Sequence, residues 1–91
     1  MYIVKEIDEK GNLNIAEEIM CEAEWFDSIE AASAEIELYL AELKLSYLDG
    51  DLNEFNEKLE WQLLRIVNCR TLECYKFTPF TGSENILFTR D

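Results

Sequence analysis

Residues 27–69 most constrain what this chain can fold into, because they read as two consecutive amphipathic helices. Asp27 and Glu30 form a capping box at the start of the first helix: a short side chain accepts a hydrogen bond from a free backbone N–H, and the glutamate reaches back to the cap. Asp51 and Glu54 repeat this pattern at the start of the second helix. The sequence therefore predicts a pair of packed helices at the centre of the fold.

The first of these helices has apolar residues over a wide arc. One stripe at helical spacing consists of Ile29, Ala32, Ile36, Leu40, Leu43 and Tyr47. A second stripe beside it consists of Ala31, Ala34, Leu38, Ala41, Leu45 and Leu48. An arc of this width predicts contacts on two sides of the helix, one with the second helix and the other with a sheet.

The second helix is expected to bury a stripe that consists of Leu52, Phe55, Leu59, Leu63 and Ile66. Trp61 falls instead among charged residues when successive side chains are placed about 100° apart. Two interpretations of its indole stay open: it is an exposed anchor for a binding partner, or it lies over a neighbouring strand or loop. Trp25 is expected in the core.

Three other segments have the composition of β-strands, because they are rich in β-branched and aromatic residues. They are residues 2–8, 71–77 and 86–89. Residues 9–12 supply turn chemistry after the first segment, and a loop that contains proline and glycine occupies residues 78–83. The pattern predicts an N-terminal hairpin and a C-terminal pair of strands.

Residues 13–26 fit two periodicities. Residues 19–25 alternate as in a strand, whereas Ile15, Ile19, Ala23 and Phe26 recur at helical spacing. We favour a strand, because the segment ends in an aromatic pair and runs directly into the capped helix. In a strand, Cys21, Ala23 and Trp25 point inward while Glu22 and Glu24 point outward.

These elements predict an α+β fold in a single domain that spans residues 1–91. A small antiparallel sheet, made of the N-terminal hairpin and the C-terminal strand pair, is expected to support two antiparallel helices on one face. If residues 13–26 are helical, the fold has three helices with a small sheet.

The chain lacks the groups that most catalytic sites need. It has no histidine, and no serine or cysteine has a recognisable catalytic partner. Cys69 and Cys74, with Cys21 as a third thiol, lack a fourth ligand for structural zinc, so buried cysteines are expected. Residues 49–54 lack the spacing of a calcium loop. We therefore expect a protein that is not an enzyme and that uses no metal or other cofactor.

Charge is the strongest functional signal in the sequence. Twenty acidic residues against eight basic ones give a formal net charge of −12. Such a field repels nucleic acid and anionic membranes and attracts basic protein surfaces. The odd number of cysteines, the absence of a secretory leader and the absence of an apolar run of about 20 residues indicate a soluble cytoplasmic protein.

Rows of carboxylates on a rigid helix can imitate nucleic-acid phosphates. Glu35, Glu42 and Asp49 recur every seven residues, and Glu30 and Glu37 form a second row. The predicted partner-binding residues are these five with Glu22, Glu24, Glu54, Glu57 and Trp61. They predict an inhibitor of the DNA-mimic type that binds the basic nucleic-acid-binding surface of a nuclease or effector complex, in the manner of viral anti-restriction or anti-CRISPR proteins.

Two alternatives stay open at this point. An immunity or antitoxin protein that neutralises a basic nuclease toxin would have the same kind of surface. A structural or assembly module would form a homodimer through the second apolar stripe of the first helix and would show little salt-sensitive binding to other proteins.

Overall fold

The computed structural model describes residues 1–21, 23–78 and 87–90. Within them lie the strands β1 (Tyr2–Ile7), β2 (Leu13–Ile15), β3 (Leu64–Asn68), β4 (Cys74–Thr78) and β5 (Leu87–Arg90). The helices are α1 (Glu17–Met20), α2 (Ile29–Leu48) and α3 (Glu57–Leu63). All five strands join one antiparallel sheet in the order β2-β1-β3-β4-β5. The predicted α+β fold with a small antiparallel sheet is confirmed.

The N-terminal hairpin forms where the turn chemistry predicts it. The side chain of Asp8 closes the turn, since its Oδ1 accepts hydrogen bonds from the backbone N–H groups of Lys10 and Asn12, each at 2.9 Å. Gly11 adopts a φ of 84°, which a residue with a side chain rarely adopts. The turn thereby sets the register in which Lys5 lies opposite Ile15.

Helix α2 is the central helix that the sequence predicts. Ser28 is its N-cap, because the Ser28 hydroxyl accepts from the backbone N–H of Ala31 at 3.0 Å. The capping-box pattern predicts Asp27 as the cap, whereas the observed cap is Ser28, one residue later. The helix ends at Leu48 with Asp49 as its C-cap, and Gly50 follows with a φ of 88° in the left-handed region.

The core lies between α2 and one face of the sheet. The inner stripe of α2 contributes Ala32, Ile36 and Leu40, all buried. Val4 of β1 and Ile66 of β3, which are paired in register, are both fully buried beneath them. Burying an aliphatic side chain of this size stabilises the fold by about 1.5–3 kcal/mol. The first predicted stripe of α2 therefore packs toward the core, except at its last residue, Tyr47, which is 43% exposed.

The predicted second helix is wrong over most of its length. The capping box at Asp51 and Glu54 does not start a helix; Asn56 caps α3 instead, accepting from Leu59 N–H at 3.1 Å. Residues 64–68 form β3, which pairs with both β1 and β4 and occupies the middle of the sheet. The β-branched pair at residues 66 and 67 suits a strand that is hydrogen-bonded on both sides.

Residues 13–26 also differ from the favoured strand. Among the described residues of this segment, Leu13–Ile15 is the one strand, and it pairs with β1; the single turn α1 follows, with Ile19 and Met20 buried in the core. Helical spacing therefore describes the middle of this segment better than alternation. Phe26 closes the segment by forming an isolated bridge with Tyr2. The described residues contain three helices, as in the alternative, although only Glu17–Met20 of this segment is helical.

The C-terminal strands begin later than predicted. Residues 69–73 form a turn after β3, in which Leu72 has a φ of 64° and its N–H donates to Asn68 O. Strand β4 consequently starts at Cys74, and β5 is shifted by one residue from the predicted 86–89. Thr78 ends β4, whereas the rest of the predicted loop at 78–83 lies outside the described residues.

Candidate protein-binding surface

The predicted partner-binding carboxylates that the structure describes are all exposed to solvent. They are Glu24, Glu30, Glu35, Glu37, Glu42, Asp49, Glu54 and Glu57. Glu22 lies outside the described residues. Four of the eight belong to α2 and Asp49 is its C-cap, so this helix brings most of them together on one rigid element.

The outer face of α2 presents these carboxylates as two rows. Glu35, Glu42 and Asp49 follow one edge at intervals of about 10.5 Å, and Glu30 and Glu37 follow the other edge with the same interval. Lys44 is the one basic residue of α2. Five carboxylates therefore lie along about 28 Å of helix with little internal neutralisation.

A stripe of apolar side chains lies between the two rows. It contains Leu38, Leu45 and Leu48, whose relative exposures are 59%, 60% and 67%. The sequence predicts a buried position for this stripe against a second helix, and that expectation is wrong. The reason is that α3 is only seven residues long and the residues after it belong to the sheet, so the outer face of α2 stays uncovered.

Trp61 is buried, so the expectation of an exposed indole is wrong. Only 5% of the residue is accessible, and its ring centroid lies 5.0 Å from that of Phe77 and 5.9 Å from that of Phe88. The indole covers strands β4 and β5, as the second interpretation of this residue expects. Trp25, predicted in the core, is instead 45% exposed, because residues 23–25 are irregular and Phe26 takes the inward position.

Further acidic residues concentrate negative potential beside the helices. Burial raises the pKa of Glu6, and the nearby carboxylates of Glu18 and Glu60 raise it further. Burial and the same three carboxylates also raise the pKa of the Tyr39 hydroxyl on α2. These residues come from β1, α1, α3 and α2, so the acidic field is not confined to a single helix.

The sheet contributes a basic row that sequence reasoning missed. Lys5 lies in register with Arg65, and Arg65 with Lys76, across three neighbouring strands. Because side chains alternate along a strand, this row lies on the face opposite Val4 and Ile66. The row exists because Arg65 lies in β3, between β1 and β4, whereas the sequence pattern predicts a helix at this residue. Three of the eight basic residues therefore lie together on the sheet face that points away from α2.

The cysteines differ in their exposure. Cys21 is exposed, contrary to the expected buried position, and its thiol donates to Glu18 O at 2.8 Å, whereas Cys69 and Cys74 are half-buried. Within residues 1–21, 23–78 and 87–90, no three cysteine or carboxylate side chains gather in a way that could hold a metal ion. None of the described helices combines the length and the hydropathy needed to cross a membrane.

In comparisons with known proteins, no protein-family model, no curated protein sequence and no solved structure matches this chain. Functional inference therefore depends on the geometry of its own residues. The outer face of α2, which combines two carboxylate rows with exposed leucines, is the feature most typical of a binding surface.

Proposed function

We propose that the protein is a non-enzymatic inhibitor that acts in the cytoplasm by covering the basic nucleic-acid-binding surface of another protein. The observation that supports this function is the pair of carboxylate rows on the outer face of α2. Lysines and arginines that are arranged to contact phosphates gain affinity by releasing counterions. The same side chains can be neutralised by carboxylates on a helix that is already folded. Counter-defence against a nuclease or effector complex is the biological setting that such chemistry fits.

The spacing of the carboxylates on α2 can be compared with the spacing of the phosphates on DNA. Its five carboxylates amount to one per about 6 Å of helix, whereas one DNA strand has a phosphate per about 3.4 Å of axis. Charge on α2 alone is thus sparser than on DNA. Glu54 and Glu57 from the α3 region and the carboxylates near Glu6 add to the field, and the exposed leucines supply apolar contact that DNA lacks.

A charge-reversal experiment tests this function. The tagged protein is used to capture partners from host lysate at low and near-molar salt, and a retained basic protein is then purified and assayed for DNA binding. We expect wild-type protein to displace DNA and the Glu35→Lys, Glu42→Lys, Asp49→Lys variant to lose at least about tenfold in affinity. These positions are exposed, so the fold should be retained.

The matched control reverses three exposed carboxylates outside α2, at Glu9, Asp27 and Asp51, and has the same net charge as the α2 variant. If both variants lose affinity equally, overall charge and not the α2 rows determines binding. If the wild-type protein never displaces DNA from a bound partner, the inhibitor function is wrong.

The assembly module is a second candidate, because Leu38, Leu45 and Leu48 form an exposed apolar stripe of the kind found at interfaces between copies. It predicts a homodimer that Leu45→Ser dissociates. Sedimentation of the purified protein without any partner separates this candidate from the inhibitor.

A further inference from the structure

The outer face of α2 has the spacing of a coiled-coil seam. Its apolar residues follow intervals of three, four, three, four and three residues and are Ala31, Ala34, Leu38, Ala41, Leu45 and Leu48. These are the a and d positions of a heptad repeat, with the a positions at Ala31, Leu38 and Leu45. We propose that this seam is the docking site for an amphipathic helix with basic flanks on a partner protein. This proposal rests on the proposed function and names the part of the partner that is bound.

The seam is presented on a helix that needs no partner in order to fold. The opposite face of α2 is held against the sheet by Ala32, Ile36 and Leu40, whose exposures are 0%, 0% and 2%. The cost of helix nucleation is therefore already met before a partner arrives. From Ala31 to Leu48 the seam is about 26 Å long, which accommodates between two and three heptads of a docked helix.

Charges beside the seam determine which helix fits. The e positions are Glu35, Glu42 and Asp49, and the g positions are Glu30, Glu37 and Lys44. In coiled coils, residues at e and g pair with the flanks of the facing helix and set the choice of partner. Five carboxylates and one ammonium group at these positions favour lysines and arginines on the other side.

The same charges disfavour a second copy of this chain. In a parallel pair of α2 helices, Glu30 would meet Glu35 and Glu37 would meet Glu42, and only Lys44 would meet an opposite charge, at Asp49. In an antiparallel pair, the e positions would bring carboxylates against carboxylates, and at the g positions only Lys44 would meet an opposite charge, at Glu30. Like charges placed in contact across an interface are unfavourable, so a basic helix is the better occupant.

Neighbouring elements add to this preference on both sides of the seam. A groove between α2 and α1 is lined by Glu18, Leu38 and Glu42. A second groove, between α2 and α3, is lined by Glu37, Ala41 and Glu57. Basic side chains that extend from a helix on the seam would meet the carboxylates of Glu18, Glu35 and Glu42 in the first groove. In the second groove they would meet those of Glu37 and Glu57, beside the ammonium group of Lys44.

Two synthetic peptides of about three heptads test the proposal with the full chain. Both have leucine at a and d; one has lysine and the other glutamate at every e and g position. We expect the lysine peptide to bind at physiological salt and the glutamate peptide not to bind, as measured by anisotropy of labelled peptide. The Glu35→Lys, Glu42→Lys, Asp49→Lys variant should reverse part of this preference.

A seam variant separates docking from general attraction to an acidic protein. Leu38→Ser with Leu45→Ser should weaken lysine-peptide binding at least about tenfold. The matched control, Leu59→Ser with Leu72→Ser, removes two exposed leucines outside the seam and should stay within about twofold. Equal binding by the seam variant and wild type would overturn the proposal, as would a wild-type dimer that the seam variant dissociates and that excludes the peptide.

The experiments distinguish failure of the seam proposal from failure of the proposed function. If the lysine peptide binds the seam but the protein displaces no DNA from any partner, docking stands and the inhibitor function fails. In the opposite case, the seam variant still displaces DNA from a captured partner while the Glu35→Lys, Glu42→Lys, Asp49→Lys variant does not. The inhibitor function then stands and the seam proposal fails.

Discussion

Aromatic residues show at the scale of single side chains how tertiary contacts override a helical wheel. Trp61 lies on the charged side of its short helix when the sequence alone is considered, yet Phe77 and Phe88 of the C-terminal strands enclose its indole. The ring contact between Phe77 and Phe88, with centroids 6.1 Å apart, completes a three-membered aromatic cluster. Trp61 therefore links α3 to one end of the sheet.

Replacing Trp61 by alanine should destabilise the protein by about 3–5 kcal/mol, because a buried indole leaves a large cavity. Urea unfolding followed by circular dichroism measures the loss. Trp25→Ala is the matched control, since Trp25 is 45% exposed and its removal should cost far less. Similar unfolding midpoints for the two variants would contradict the burial of Trp61.

At the scale of elements, α2 is the part of the fold that local sequence determines best. Its cap, its apolar stripe and the glycine after its end all agree on its bounds. Ser28→Ala removes the hydroxyl that accepts from Ala31 N–H and should cost about 1 kcal/mol. Thermal unfolding tests this, with Ser46→Ala near the other end of α2 as the control that should be nearly neutral. A neutral Ser28→Ala would show that the hydroxyl does not cap the helix.

The segment after α2 was unpredictable from local pattern for a physical reason. Leu59, Leu63 and Ile66 recur at helical spacing, but Leu64 and Ile66 also alternate as in a strand, and only pairing partners decide between the two. Strand β1 is distant from β3 in the sequence. The five residue pairs between the two strands therefore cannot be predicted from the sequence around β3 alone. The exposed leucines of α2 follow from the same fact, since the strand replaces the helix that would have covered them.

The candidate site was predictable in its charges but not in its apolar part. Carboxylates such as Glu35 and Glu42 are exposed wherever α2 packs by its opposite face, so their position follows from the helix alone. Leu45 and Leu48 are exposed because α3 does not cover them. That packing is a tertiary property, which the sequence of α2 alone does not determine. The basic row through Arg65 depends likewise on strand register.

For the whole molecule, the dominant feature is a net charge of −12 on a body that measures 41 × 33 × 27 Å. The Debye length is about 30 Å at 0.01 M salt and about 8 Å at 0.15 M. At the lower concentration each carboxylate therefore interacts with nearly all the others, whereas at the higher one only neighbours interact. The two carboxylate rows of α2 place like charges near one another along one helix, so we expect this repulsion to be strongest there.

We therefore expect the thermal midpoint to rise when sodium chloride is increased from about 0.01 M to about 0.15 M at pH 7, because screening relieves repulsion that destabilises the compact state. Relief of about 1 kcal/mol would appear as about 4–8 °C in a domain of this size. The Glu35→Lys, Glu42→Lys, Asp49→Lys variant replaces three negative charges by three positive ones, so its formal charge is −6 instead of −12. Its thermal midpoint should rise less with salt. The control variant, in which Glu9, Asp27 and Asp51 are changed to lysine, has the same formal charge. An equal salt response in both variants would attribute the repulsion to total charge. A smaller response in the α2 variant would attribute it to the two carboxylate rows. A midpoint that does not change with salt in the wild-type protein would contradict the repulsion altogether.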